Sequence, residues 1–190
     1  METAAKGFHG MVFMLKIMGI YHKEGVGMFE KFGEFDSAEE LNRAAAAQLK
    51  EGDNEALYAL ASENGIDKED VDDYINGYVD ELVNDCMAAD GKLNIEAADL
   101  KAEGIISDWK DYIMQLCADD RELTGAVRKK GKSLSECLGK ILEYSYKNRT
   151  HVPNKVVKAA GLNPPLDVGF PDKKNLKNII YKYYTGKETL

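Results

Sequence analysis

Residues 37–52, SAEELNRAAAAQLKEG, spell out a helix with both of its ends. Ser37 followed three residues later by Glu40 is a capping box, in which the serine oxygen and the glutamate each satisfy a free backbone N–H. The alanine-rich run that follows reaches about Glu51 and stops at Gly52. The same grammar continues downstream. Asp53 caps a short helix with Leu57, Leu60 and Ala61 on one face, closed by Asn64-Gly65. Asp67 caps a longer helix with Val71, Tyr74, Ile75, Tyr78, Leu82 and Val83 at helical spacings. Asp90-Gly91 reads as a turn, followed by helices at about 95–103, containing Leu100, and 108–118, containing Trp109, Tyr112, Ile113 and Leu116.

Beyond Asp120 a short helix ends near Lys130-Gly131. Ser133-Leu-Ser-Glu136 is a second capping box, opening a helix that turns Leu134, Cys137, Leu138, Ile141, Leu142 and Tyr144 or Ser145 inward. Pro153 suits the first turn of another helix, closed by Gly161. A loop through Asn163-Pro164-Pro165 to Gly169 precedes a final helix capped by Asp172 and ended by Gly186. The expected fold is an all-α multi-helix bundle. Residues 1–27 form an N-terminal segment whose apolar run, Met11 to Tyr21, reads as a short strand or a helix.

Composition bounds the function classes. The 190 residues are 44% hydrophobic and 31% charged, an ordinary globular balance. No apolar run approaches the roughly 18 residues of a membrane span. The first residues lack the basic start and clean apolar core of a secretory signal. Three cysteines, Cys86, Cys117 and Cys137, are too few and too scattered for a disulfide scaffold, and read as reduced, buried thiols. His9, His22 and His151 have no metal-ligand spacing. The acidic run at 67–73 lacks the glycine of a calcium loop. No phosphate loop, nucleophile elbow or dinucleotide fingerprint occurs, so the expectation is a protein without enzymatic activity or cofactor.

Charge is distributed unevenly. Residues 1–120 hold 27 acids and 10 bases, whereas residues 121–190 hold 6 acids and 15 bases. The chain therefore divides into an acidic helical part at 28–120 and a basic helical part at 121–190. Either the two parts attract each other within one molecule or each steers a partner of opposite sign. The basic part offers Arg128, Lys129, Lys130 and Lys132 at a helix junction, then Lys147 and Arg149 at the end of the next helix. In the last helix Leu176, Ile179, Ile180 and Tyr183 share one face. Lys174, Lys177 and Tyr181, with Lys182 at the edge, share the opposite one. Lysines beside an exposed tyrosine are what a phosphate-and-base surface needs, so these residues are the candidate contacts for nucleic acid, the other reading being a solvated polar face. In the acidic part Asp67, Glu69, Asp70, Asp72, Asp73, Asp80 and Glu81 line the outer side of the helix begun by Asp67. Such a stripe can imitate DNA phosphates and enter a basic channel, or serve as an ordinary solvated face.

The stretches KSLSECLGKILEYSYKNRTHVPNKVVKAAGL (132–162) and VGFPDKKNLKNIIYKYYTG (168–186) resemble PcfK-like proteins of Firmicutes conjugative elements. The matching positions are Lys132, Ser133, Leu134 and Cys137 at a helix start, with the pair Tyr183 and Tyr184 near the end. Thr185 replaces the acidic residue usual after that pair, and the acidic first part has no counterpart. That group includes inhibitors of the type II CRISPR nuclease. The resemblance implies a non-enzymatic anti-CRISPR protein of a mobile element or phage, acting in the cytoplasm of a bacterial host. Its partner would be an RNA-guided type II effector nuclease, whose DNA recognition or cleavage it blocks, with the basic part gripping DNA or the guide RNA. The other reading is a DNA-binding accessory or regulatory protein of a conjugative element. No catalytic residues carry over.

Overall fold

The computed structural model describes residues 28–188. Among them lie nine helices and a single two-stranded sheet, so the fold is all-α. In chain order the elements are α1 (Ala38–Glu51), α2 (Asn54–Glu63), α3 (Lys68–Ile75), α4 (Asp85–Asp99), α5 (Ile105–Asp119), α6 (Arg121–Arg128) and α7 (Leu134–Lys147). Then come β1 (Thr150–His151), α8 (Asn154–Ala159), β2 (Asp167–Val168) and α9 (Lys173–Thr185). The expected strand or helix between Met11 and Tyr21 lies outside the described residues.

The punctuation read from the sequence operates as hydrogen bonds, except at Asp67, whose side chain makes no capping bond. The Ser37 Oγ accepts the Glu40 amide at 3.1 Å, and Asp53 and Asp172 accept the amides of Ala56 and Asn175 at 2.9 and 2.8 Å. At the far end of α1, Gly52 adopts φ 73°, and the amides of Gly52 and Asp53 take the carbonyls of Leu49 and Gln48. Both capping boxes deviate in their return bond. The Glu40 carboxylate accepts from Asp36, one residue early. In the second box, Tyr183 stands between the partners: Ser133 donates its amide to Tyr183 Oη at 2.7 Å, and that hydroxyl donates to Glu136 at 2.8 Å.

Three expectations are corrected. The helix begun at Asp67 ends at Ile75, not beyond Val83. Asn76 donates its side-chain amide to the Asp72 carbonyl and Gly77 takes φ 73°, which together terminate the turn. Leu82 and Val83 are nonetheless buried. Their segment folds back as a strap, and the Asn42 side chain clamps both backbone groups of Val83, at 2.8 and 3.0 Å. Tyr78, expected on the apolar face, is 77% exposed. Second, Asp90-Gly91 is no turn but the middle of α4, which replaces the helix expected at about 95–103 and leaves Leu100 exposed just past its end. Gly91 is there for closeness: a Cβ on it would stand 2.3 Å from the Asn64 carbonyl oxygen. Gly91→Ala is expected to cost about 1–3 kcal/mol through the forced separation of α4 from the α2–α3 turn, read as a lower urea midpoint. Third, Leu142 faces solvent while Ser145 turns inward, and the expected 163–169 loop contains β2, paired antiparallel to β1.

α4 is central, packing on α1, α5, α6 and α7. One apolar cluster gathers Phe35, Leu41, Leu57, Leu60, Val71 and Leu82, ending at Ala88. A second begins at Ala89 and gathers Leu93, Trp109, Ile113, Leu123, Ile141, Ile180 and Tyr184. Packing therefore changes hands within α4, upstream of the change in charge at residue 120. Cys117 and Cys137 are buried in the second cluster, which pushes both thiols up to about 12 and makes them inert at neutral pH. Cys86, expected to be buried, is exposed at the start of α4.

Candidate functional site

The basic junction is largely consumed by the fold. Arg128 is 1% exposed, because α6 packs on α4 and carries its last residue inward. Its Nη2 donates to the Asn64 Oδ1 at 2.6 Å, and burial lowers the guanidinium's affinity for its proton. It is not available to a phosphate. Lys129 and Lys130 pair with Asp36 and Glu40, each at 3.3 Å, and Asp36 also accepts the Lys130 amide. That backbone bond, then Lys129, holds the Asp36 carboxyl below its ordinary range. Lys132 donates to the Tyr183 carbonyl at 2.6 Å and lies over that ring. Here the acidic and basic parts of the chain neutralise each other.

Tyr181 departs from the exposed position expected of it. α9 packs against both α6 and α7, so its outer tyrosine meets Asp120 and donates to it at 2.9 Å. Burial first, then that bond, raises the hydroxyl to about 12. Lys177 lies over the Tyr181 ring, 5.3 Å from its centroid. Lys182 and Lys147 pair with Glu188 and Glu143 at 2.6 and 2.5 Å. Arg149 stacks on Tyr146, and Lys174 is exposed without an ion pair. The proposed nucleic-acid residues thus separate into a buried or neutralised group and an exposed one.

The acidic residues come together by a route other than a single helix. Asp67 keeps its carboxylate free, with no capping bond, and Glu69 and Asp70 follow in the first turn of α3. Asp80 and Glu81 stand on the strap that Asn42 clamps to α1. There they line a cleft of about 480 Å³ with Glu39, Asp85 and a single base, Arg43. Glu81 also lines an adjoining hollow of about 210 Å³ with Asp70 and Asp73. Asp72 is set apart, accepting the Tyr58 hydroxyl. Glu39 and Arg43 carry no signal in the sequence beyond their place in a capped helix, because their relevance depends on the strap folding back beside them.

This rim is under like-charge stress. The Asp70 carboxyl is raised from 3.8 by burial first and then by Asp67, Asp73 and Glu69. A folded value above the unfolded one means that stability falls as pH rises through it, and the deficit persists at neutral pH. Asp70→Asn is therefore expected to stabilise the chain by about 0.5 kcal/mol at neutral pH and low salt. The gain should vanish at acid pH, where Asp70 is protonated in both states; thermal denaturation at the two pH values checks this.

A buried polar seam joins the two apolar clusters. Lys92, 1% exposed, pairs with Glu34, donates to the Lys129 carbonyl at 2.9 Å and stands 3.8 Å from Glu96. Glu96 accepts the Leu134 amide at 2.6 Å, and burial raises its carboxyl above the ordinary range. The signal for this seam was present as a lysine and a glutamate four residues apart among apolar neighbours.

No group of His, Cys, Asp and Glu among the described residues is arranged to hold a metal ion. No helix among them is long and apolar enough to cross a membrane. The chain matches no protein-family model, no curated protein and no solved structure.

Proposed function

We propose that this protein is a non-enzymatic inhibitor that docks its acidic rim into a cationic nucleic-acid channel of an RNA-guided type II CRISPR nuclease, blocking DNA recognition or cleavage. The observation that carries the reading is the unpaired state of the rim. None of the ion pairs among the described residues involves Asp67, Glu69, Asp70, Asp73, Asp80 or Glu81. Asp80 and Glu81 sit on a strap pinned at Val83, so their carboxylates are positioned before any partner arrives. Such nucleases hold nucleic acid in positively charged channels. A fixed row of carboxylates is complementary to such a channel, and the resemblance at 132–186 supplies the class of nuclease.

The test combines the protein with a type II nuclease, its guide and a target duplex. Complex formation and loss of cleavage are expected, both weakening as salt rises. A nuclease that neither binds the protein nor slows in its presence overturns the proposal. The other reading, a DNA-binding accessory protein, draws on exposed Lys147, Arg149, Lys174 and Lys182. It loses Arg128 to the core and Lys129, Lys130 and Lys132 to internal bonds.

A further inference from the structure

Tyr146 and Arg149 stand together where α7 runs into the small sheet, and Phe170 follows a glycine packed against the same turn. Tyr146 and Phe170 are each 67% exposed. The Arg149 guanidinium carbon lies 3.9 Å from the Tyr146 ring centroid, and its Nε donates to the Tyr146 carbonyl at 3.0 Å. Phe170 is seated by Gly169, on which a Cβ would stand 2.1 Å from the Ser145 carbonyl oxygen and 3.1 Å from the Arg149 Cγ. Only glycine permits that approach, and it brings the next residue to the same corner. Leu142, one turn before Tyr146 on the same flank of α7, is 51% exposed. Of the eleven large apolar side chains exposed among the described residues, six fall within residues 142–170.

The charge around the corner selects its occupant. Residues 144–166 contain no Asp or Glu and carry Arg149, Lys155 and Lys158 outside any ion pair, Lys147 being taken by Glu143. Of the acids beside Phe170, Asp167 meets the His151 Nδ1 at 3.1 Å and Asp172 accepts the Asn175 amide as the cap of α9. Lys155 and Lys158 are exposed and form no ion pair. Planar groups open to solvent, beside a chain segment (144–166) whose own charges are all cationic, suit a ligand with both flat faces and anionic charge. A duplex buries its base faces in the stack, and an acidic peptide has no faces to offer.

We propose that this corner binds single-stranded nucleic acid, stacking bases on Tyr146, the Arg149 plane and Phe170 while Lys155 and Lys158 hold the phosphates. The inference does not rest on the acidic rim or on any nuclease. It also differs from a phosphate surface on α9, whose tyrosine is tied to Asp120.

The test is fluorescence anisotropy of the full chain with a labelled oligothymidylate about 15 nucleotides long, against the same sequence as a duplex. Binding at low salt is expected, with the duplex weaker by about 10-fold or more. Tyr146→Ala and Phe170→Ala should each weaken single-strand binding about 10-fold, and Tyr146→Trp should retain it. Lys155→Ala with Lys158→Ala should flatten the salt slope by roughly 0.7 per lysine. Both aromatic positions are solvent-facing, so these variants should keep the wild-type circular dichroism, which is recorded alongside. No binding of the oligothymidylate, equal affinity for the duplex, or binding indifferent to Tyr146 and Phe170 would each overturn the proposal. Reversing the acidic rim should leave this binding intact or strengthen it, so failure here and failure of nuclease inhibition are read separately.

Discussion

Replacing Lys92 with alanine is expected to lower the stability of the fold by about 3–5 kcal/mol, the effect of removing one partner from a buried ionic group. The ammonium is 1% exposed and serves Glu34, Glu96 and the Lys129 carbonyl together. Without it, Glu96 retains the Leu134 amide and the attraction of Arg128 but loses its nearest cation, in a setting that already disfavours its charge. Two companion variants identify the cause. Lys92→Met keeps the bulk of the stem and should recover only the packing share. Adding Glu96→Gln to Lys92→Met should recover most of the remainder, because a neutral seam no longer strands a charge. The pH dependence has a fixed sign. Glu96 is raised in the folded state, so the Lys92→Ala deficit should shrink as pH falls and the carboxyl takes a proton. Urea denaturation at neutral and acid pH measures all of this. A loss below about 1 kcal/mol for Lys92→Ala, or one independent of pH, would mean that water replaces the ammonium and the seam is not closed.

Much of the fold was legible because local rules governed it. Ser37, Asp53, Asp120, Ser133 and Asp172 each accept an amide in the first turn of the helix they precede. Errors fell where a long-range contact overrode the local pattern. Asp90-Gly91 has the composition of a turn, but its glycine answers to the backbone of Asn64. Leu82 and Val83 keep helical spacing from Val71 and are buried, yet they reach the core from a strap held by Asn42. Sequence places such residues inside without saying by which path. The candidate sites were less legible for the same reason. Arg128 reads as one more cation in a basic run, and only the docking of α6 shows that it points at Asn64. Tyr181 lies opposite the apolar stripe of α9, but that helix has two packed sides, and Asp120 claims the hydroxyl. The Tyr146–Arg149–Phe170 corner spans a sheet of only two pairs, too short for an alternating pattern to announce it.

Reversing Asp70, Asp73, Asp80 and Glu81 to lysine should abolish nuclease inhibition, with affinity for the nuclease falling at least about 100-fold. Like charges brought together at an interface cost several kcal/mol, and four reversals turn complementarity into repulsion. The set is chosen by geometry rather than by sequence stripe. These four carboxylates line adjoining hollows, whereas Asp72 is committed to Tyr58 and is left in place. Burial first, and then Asp67, Asp73 and Glu69, disfavour the Asp70 charge, so the acid that lysine replaces there is not stabilising and thermal denaturation of the variant should stay close to that of the parent. Loss of inhibition in it is then loss of recognition and not of fold. Lys174→Glu is the matched control, an exposed charge change outside the rim that should leave inhibition unaltered. Salt supplies the second readout. Inhibition by the parent should decline steeply between low and physiological ionic strength, because the attraction is between exposed charges. A reversed variant that still inhibits, or a parent whose inhibition ignores salt, would locate the inhibitory contact away from this rim and would reduce its acidity to a solvated surface.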